Sequence, residues 1–139
     1  MRTVFADTVY WIALLNRADS LHDEAFELRS HLGSTLIVTS EMVLAEVLNH
    51  FSAGLSKFRT AVVTLVEDIR ADSNCRVIAQ TSGQFSSALR LYKERADKQW
   101  SLTDCASILI MQTEDIDEVL THDKHFIQAG FTVLLRAVP

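Results

Sequence analysis

The sequence predicts a three-layer α/β/α domain built on a central, mostly parallel five-stranded sheet. Short apolar, β-branched runs such as "STLIVTS" and "CRVIAQ" alternate with longer segments of helical apolar spacing. The runs lack the in/out polar alternation of a sheet with one wet face, so both faces are expected to be covered by helices. Four glycines and one proline, Pro139, leave the intervening segments free to be helical. At 139 residues, 48% of them hydrophobic, the chain has the length and apolar content of one domain with its own core, taken as 1–139.

Each element has a local reason. "RTVFA" is the first strand and ends at Asp7; "TVYWIALLNR" follows as a short helix. "SLHDEAFELRSHL" is a second helix, with Ser20 and Asp23 at capping-box spacing and Gly33 to close it. "STLIVTS" is the second strand. "SEMVLAEVLNHFSA" and "KFRTAVVTLVEDIRA" are helices punctuated by Gly54. "CRVIAQ" is the third strand, and "TSGQFSSALRLYKERA" and "SLTDCASILIMQT" are the next helices. "EVLTHD" and "FTVLL" are the fourth and fifth strands.

Composition narrows the function classes. A net charge of -5 argues against nucleic-acid binding through a broad basic face, although a metal-centred site remains compatible with it. Two cysteines, Cys75 and Cys105, are too few for a disulfide framework and lack metal-ligand spacing; both are expected reduced and buried. Asp7 interrupts the first apolar run, against a secretion signal, and no stretch approaches the roughly 18 apolar residues of a membrane span. A cytoplasmic protein is expected.

Asp7 is the first residue in need of an explanation, because an ionised carboxylate among apolar side chains is costly unless something compensates it. Asp7 lies at the carboxyl end of the first predicted strand, Asp123 just past the fourth, Asp104 in the first turn of a helix and Glu46 within the helix after the second strand. In open parallel sheets the functional crevice lies outside the carboxyl ends of the strands. Four converging carboxylates would repel one another unless a divalent cation neutralised them, and an all-oxygen set suits Mg2+ or Mn2+. Such a site suits phosphoryl chemistry.

"FADTVYWIALL", "TSEMVLAEVLNHF", "WSLTDCASILIM" and "VLTHDKHF", in that order over nearly the whole chain, resemble the motifs of the PIN-domain nucleases, especially the VapC-like toxins of bacterial toxin-antitoxin pairs. The resemblance implies an endoribonuclease that uses one or two Mg2+ or Mn2+ ions, with Asp7, Glu46, Asp104 and Asp123 as metal-binding, catalytic acids. It also implies a small antitoxin protein that blocks the site, and a homodimer. The helices around Glu46 and after Gly54 are candidates for an apolar antitoxin groove.

Other readings of the same residues stay open. Asp7 or Thr8 could cap the following helix, and Ser101 with Asp104 forms a capping box, which is compatible with metal binding if one carboxylate oxygen is left over. Glu41 competes with Glu46, but five residues of helix turn the two about 140° apart, so they cannot share a role. Asp123 could be a turn residue, and Asp97 a solvated loop acid. The hydroxyls of Ser101 and Thr121 could orient carboxylates from behind. His122 and His125 flank Asp123, a weak zinc signal without a third nitrogen or sulfur; His125 could instead sit at the mouth of the site.

RNA binding beside an acidic site requires a basic rim. Arg95 and Lys98 are its first candidates, with Arg90, Lys93, Lys57 and Arg59 behind them. Trp100 could stack on an unpaired base or belong to the core. Two rival functions are a catalytically silent PIN-like domain that binds RNA or protein, and a phosphotransfer domain with Asp7 as nucleophile, for which "DTVYW" lacks a second aspartate two residues on.

Overall fold

The computed structural model describes residues 2–136. Five strands, β1 (Thr3–Ala6), β2 (Leu36–Ser40), β3 (Cys75–Ile78), β4 (Glu118–Leu120) and β5 (Thr132–Val133), form one sheet in the order β3-β2-β1-β4-β5. Every pairing is parallel, so the sheet is wholly rather than mostly parallel. Helices α1 (Thr8–Leu15) and α2 (His22–Leu32) join β1 to β2, and α3 (Glu41–His50) and α4 (Ser56–Ala71) join β2 to β3. The chain then steps back across the sheet through α5 (Ser82–Glu94) and α6 (Leu102–Thr113) to β4, and α7 (Lys124–Gln128) leads to β5. Right-handed crossovers place helices on opposite faces when the stepping direction reverses. That reversal makes the β1/β4 junction the switch point of the sheet, the place where open parallel sheets generally carry their functional residues.

β1 is the central strand, and Val4, Phe5 and Ala6 are fully buried on its two faces. This two-sided burial explains the unbroken apolar run. A buried relay fixes the end of the strand: Trp11 Nε1 donates to Thr39 Oγ1 at 3.3 Å, and Thr39 Oγ1 donates to the Ala6 carbonyl at 2.9 Å. The direction in which the chain leaves β1, and hence the position of Asp7, is held by β2.

Four local expectations are corrected. The predicted strand "EVLTHD" ends at Leu120, because Asp123 Oδ1 accepts the His125 amide at 2.9 Å and opens α7, a helix of 5 residues that is too short to carry a periodic signal. The Ser20/Asp23 capping box does not form, since α2 starts only at His22; Asp19 orders the turn instead, its Oδ1 accepting the Leu21 amide at 2.9 Å. Neither Asp7 nor Thr8 caps α1 with its side chain; Asp7 holds the N-cap position without a side-chain cap bond, and Thr8 Oγ1 is buried without a partner among the described residues. Cys105 is buried and free as expected, but Cys75 is only half-buried because β3 is an edge strand. Gly33 closes α2 as expected, with φ +53°, a conformation that glycine adopts without steric cost.

Candidate active site

Asp7 leaves β1 at the switch point and is 3% exposed. Its Oδ2 accepts a hydrogen bond of 3.0 Å from Thr121 Oγ1, which sits one residue past β4. Burial pushes the Asp7 carboxyl up to about 7; the Thr8 amide pulls back, the Asp104 charge adds to the rise, the Thr121 hydroxyl pulls back and Glu46 adds to it. The Glu46 and Asp104 charges therefore both act on Asp7, from α3 and α6.

Asp104 is the third residue of α6 and completes the expected capping box. Its amide donates to Ser101 Oγ at 3.0 Å while its Oδ2 accepts the Ser101 amide at 3.0 Å. The same Oδ2 lies 3.0 Å from His125 Nδ1, and no protein partner occupies Oδ1 among the described residues. Capping thus uses one oxygen and leaves the other. Burial pushes the Asp104 carboxyl upward; the Ser101 amide offsets this, the nearby Asp123 charge reinforces it, and His125 opposes it.

Asp123 caps α7, and its Oδ1 lies 3.2 Å from His125 Nδ1. One imidazole nitrogen therefore faces two carboxylates, and ligand atoms of Asp104, Asp123 and His125 all lie within 4.8 Å of one another. A nitrogen placed between two acceptors is satisfied only if it carries the proton and donates. The pattern "HDKH" puts His125 beside Asp123, but its contact with Asp104 has no sequence signal, because that acid lies 21 positions earlier. His122, by contrast, is exposed and takes no part in this group.

Thr121 does more than its spacing suggested. Besides donating to Asp7, its Oγ1 accepts the Asp123 amide at 3.2 Å, so one hydroxyl ties two of the acids together. Glu41 turns away from this group: its Oε1 accepts the Gln80 amide at 2.6 Å, steadying the chain before α5.

The basic rim is thinner than expected. Arg95 makes two hydrogen bonds to Asp97, at 3.0 and 3.1 Å, and its guanidinium stands 5.0 Å over the Trp100 ring. Arg95 in turn holds the Asp97 carboxyl below the ordinary carboxylate range. Lys98 lies 3.9 Å from Asp97. Trp100 is buried and donates to Gln128 Oε1 at 3.1 Å, which makes it a core residue and removes it as a base-stacking platform. Lys57 lies over the Phe58 ring and Arg59 donates to the Ser52 carbonyl, while Arg90 and Lys93 are exposed on α5.

The donor set fits a hard divalent cation. Asp104 and Asp123 bring carboxylate oxygens together, Thr121 ties Asp7 to Asp123, and burial with the Asp104 and Glu46 charges pushes the Asp7 carboxyl up to about 7, a rise that a bound cation would oppose.

Comparisons with known proteins agree with this fold. The 23S rRNA-specific endonuclease VapC20 of Mycobacterium tuberculosis (strain ATCC 25618 / H37Rv) is 28% identical over 131 residues, covering 92% of this chain and 95% of the relative. The crystal structure of M. tuberculosis VapC20, described as a Sarcin-Ricin loop cleaving toxin, superposes with a TM-score of 0.83 at 26% identity, over 93% of this chain and 96% of that one. VapBC2 from Rickettsia felis, bound to a DNA fragment from its promoter, shares the fold at a TM-score of 0.68 and 14% identity, over 95% of this chain and 97% of that one. FitAcB from Neisseria gonorrhoeae does so at 0.60 and 16%, over 94% and 96%. The profile of the PIN domain matches residues 4–132, and with the acids gathered at the switch point of a parallel sheet, this chain belongs to the PIN domain family.

Proposed function

We propose that the chain is one PIN domain over residues 1–139, acting as a cytoplasmic, Mg2+- or Mn2+-dependent endoribonuclease and as the toxin of a toxin-antitoxin pair. The observation that carries this reading is the gathering of Asp7, Asp104 and Asp123 around Thr121 and His125 at the switch point, with the Glu46 charge acting on Asp7. Its likeness to VapC20 over 92% of the chain supports RNA as the substrate and makes 23S rRNA the first RNA to test. No helix among the described residues is long and apolar enough to cross a membrane.

In this reading Asp7, Glu46, Asp104 and Asp123 hold one or two divalent ions. Such an ion, held by these acids, would supply Lewis-acid chemistry: activation of a water and neutralisation of charge on the phosphate oxygens. Thr121 keeps Asp7 Oδ2 engaged and would leave the other oxygen for the ion. Ser101 and His125 do the same for Asp104 through its Oδ2. Arg95 and Lys98 would hold RNA phosphates in exchange for their contacts with Asp97.

A small antitoxin and a homodimer belong to the same proposal. Both are tested by co-purification with the product of the adjacent gene and by the mass of the purified protein in solution.

Purified protein incubated with total cellular RNA in Mg2+, in Mn2+ and in EDTA, beside Asp7→Asn, tests the reading. Metal-dependent cutting lost in the variant is the expected result. Folded, antitoxin-free protein that cuts nothing would favour the catalytically silent PIN-like domain. A trapped aspartyl-phosphate would favour phosphotransfer.

A further inference from the structure

A cavity of about 350 Å3 opens between α1, the turn that follows it, the end of α3 and the loop after β4. Three of its walls come from the elements that deliver the candidate acids. Val9 stands two residues after Asp7, His50 one helical turn after Glu46, and His122 immediately before Asp123. The cavity therefore shares its supports with three of the four acids, Asp7, Glu46 and Asp123.

Its lining selects among ligands. Val9, Ile12 and Leu21 give an apolar floor, and the rings of His50 and His122 stand at the rim. His50 is held by edge-on packing against Phe51, with ring centroids 4.9 Å apart. Asp19 is the one charged carboxylate in the lining, and its position is set by the turn: its amide donates to the Asn16 carbonyl at 3.0 Å, its carbonyl accepts the His22 amide at 3.0 Å, and its Oδ1 accepts the Leu21 amide at 2.9 Å. Oδ2 has no protein partner among the described residues, which leaves one fixed acceptor for a ligand. No Lys or Arg lines the cavity, so a phosphate is disfavoured there. A purely apolar side chain would leave the Asp19 acceptor unanswered. A flat ring with an edge of hydrogen-bond donors answers both the floor and the carboxylate, and the volume lies within the range of small-ligand pockets, roughly 300–1,000 Å3.

We infer that this cavity receives one unpaired RNA base next to the scissile phosphate, and that Asp19 makes it prefer a base bearing an exocyclic amino group, adenine, cytosine or guanine, over uracil. The inference rests on the ribonuclease reading. An amino group can point an N–H at Oδ2. The only donor of uracil, N3–H, lies between two carbonyl oxygens that would face the carboxylate charge.

Asp19→Asn is the informative change, because the asparagine Oδ1 still accepts the Leu21 amide while an NH2 donor replaces Oδ2. The cut site is first mapped in cellular RNA, and that RNA is then resynthesised with the bases on either side of the cut randomised. The wild type should cut with about tenfold or greater discrimination against uracil at one flanking position, and Asp19→Asn should erase or invert it at that position alone. If Asp19→Asn melts below the assay temperature, Ile12→Phe, which fills the floor from α1, should erase the same preference. Metal-dependent cutting with the same base preference in wild type and variants overturns the base subsite and leaves the nuclease standing. Absence of metal-dependent cutting by the wild type overturns the nuclease reading and the subsite with it.

Discussion

Thr121 Oγ1 donates to Asp7 Oδ2 at 3.0 Å across 114 positions of sequence, and the same oxygen accepts the Asp123 amide at 3.2 Å. One buried hydroxyl thus sets two of the acids relative to each other. Thr121→Val keeps the shape and removes both bonds, and cleavage should fall about 10- to 100-fold with little loss of secondary structure. Thr121→Ser, which restores the hydroxyl, should recover most of the rate. Equal rates in the valine and serine variants would mean that the hydroxyl does not position the acids.

Asp7 gives a pH signature. Its carboxyl is pushed up to about 7 in the folded protein from an ordinary 3.8, so the metal-free folded state holds this proton more tightly than the unfolded chain does. The stability that follows is fully present below the unfolded value and is lost as pH rises towards 7. Asp7→Asn should therefore raise metal-free stability at about pH 8 by an amount on the order of a few kcal/mol and leave it nearly unchanged at about pH 4. Denaturant titrations in EDTA at the two pH values measure this. A gain of equal size at both would remove ionisation of Asp7 as its cause.

The two glutamates of α3 should separate cleanly. Glu46→Gln, Asp104→Asn and Asp123→Asn should each lower metal-dependent cleavage by orders of magnitude without unfolding the domain. Glu41→Gln should leave turnover alone and cost at most about 1 kcal/mol, through a weaker bond to the Gln80 amide. A large loss of turnover in Glu41→Gln would exchange the roles.

His125 should matter for metal binding. Its Nδ1 lies 3.0 Å from Asp104 Oδ2 and 3.2 Å from Asp123 Oδ1, and His125→Ala removes the group that holds the two carboxylates together. Mn2+ affinity measured by calorimetry should weaken about tenfold or more. Affinity equal to the wild type would make His125 a bystander.

Trp100 should behave as a core residue. Trp100→Phe loses the bond to Gln128 and should lower stability by about 1 kcal/mol while leaving the cleavage rate of folded protein unchanged. A selective loss of RNA affinity would return Trp100 to the substrate surface.

Much of this protein was legible in the sequence. Two-sided burial of a parallel sheet writes itself as unbroken β-branched runs, and helices write themselves as a 3.6-residue apolar period; both are local properties, and the strands and long helices follow from them. Positions such as Asp7 after β1 and Asp104 in a capping box were readable for the same reason, because each is defined by its immediate neighbours. The tertiary structure alone decided which partner each side chain meets. It gave the Thr121 hydroxyl to Asp7 as well as to its neighbour Asp123, turned Glu41 to the Gln80 amide, placed one His125 nitrogen between two acids and closed Trp100 into the core. These pairings are set by where the crossovers bring distant strand ends and helix starts together, and a short-range pattern carries no record of that distance in space.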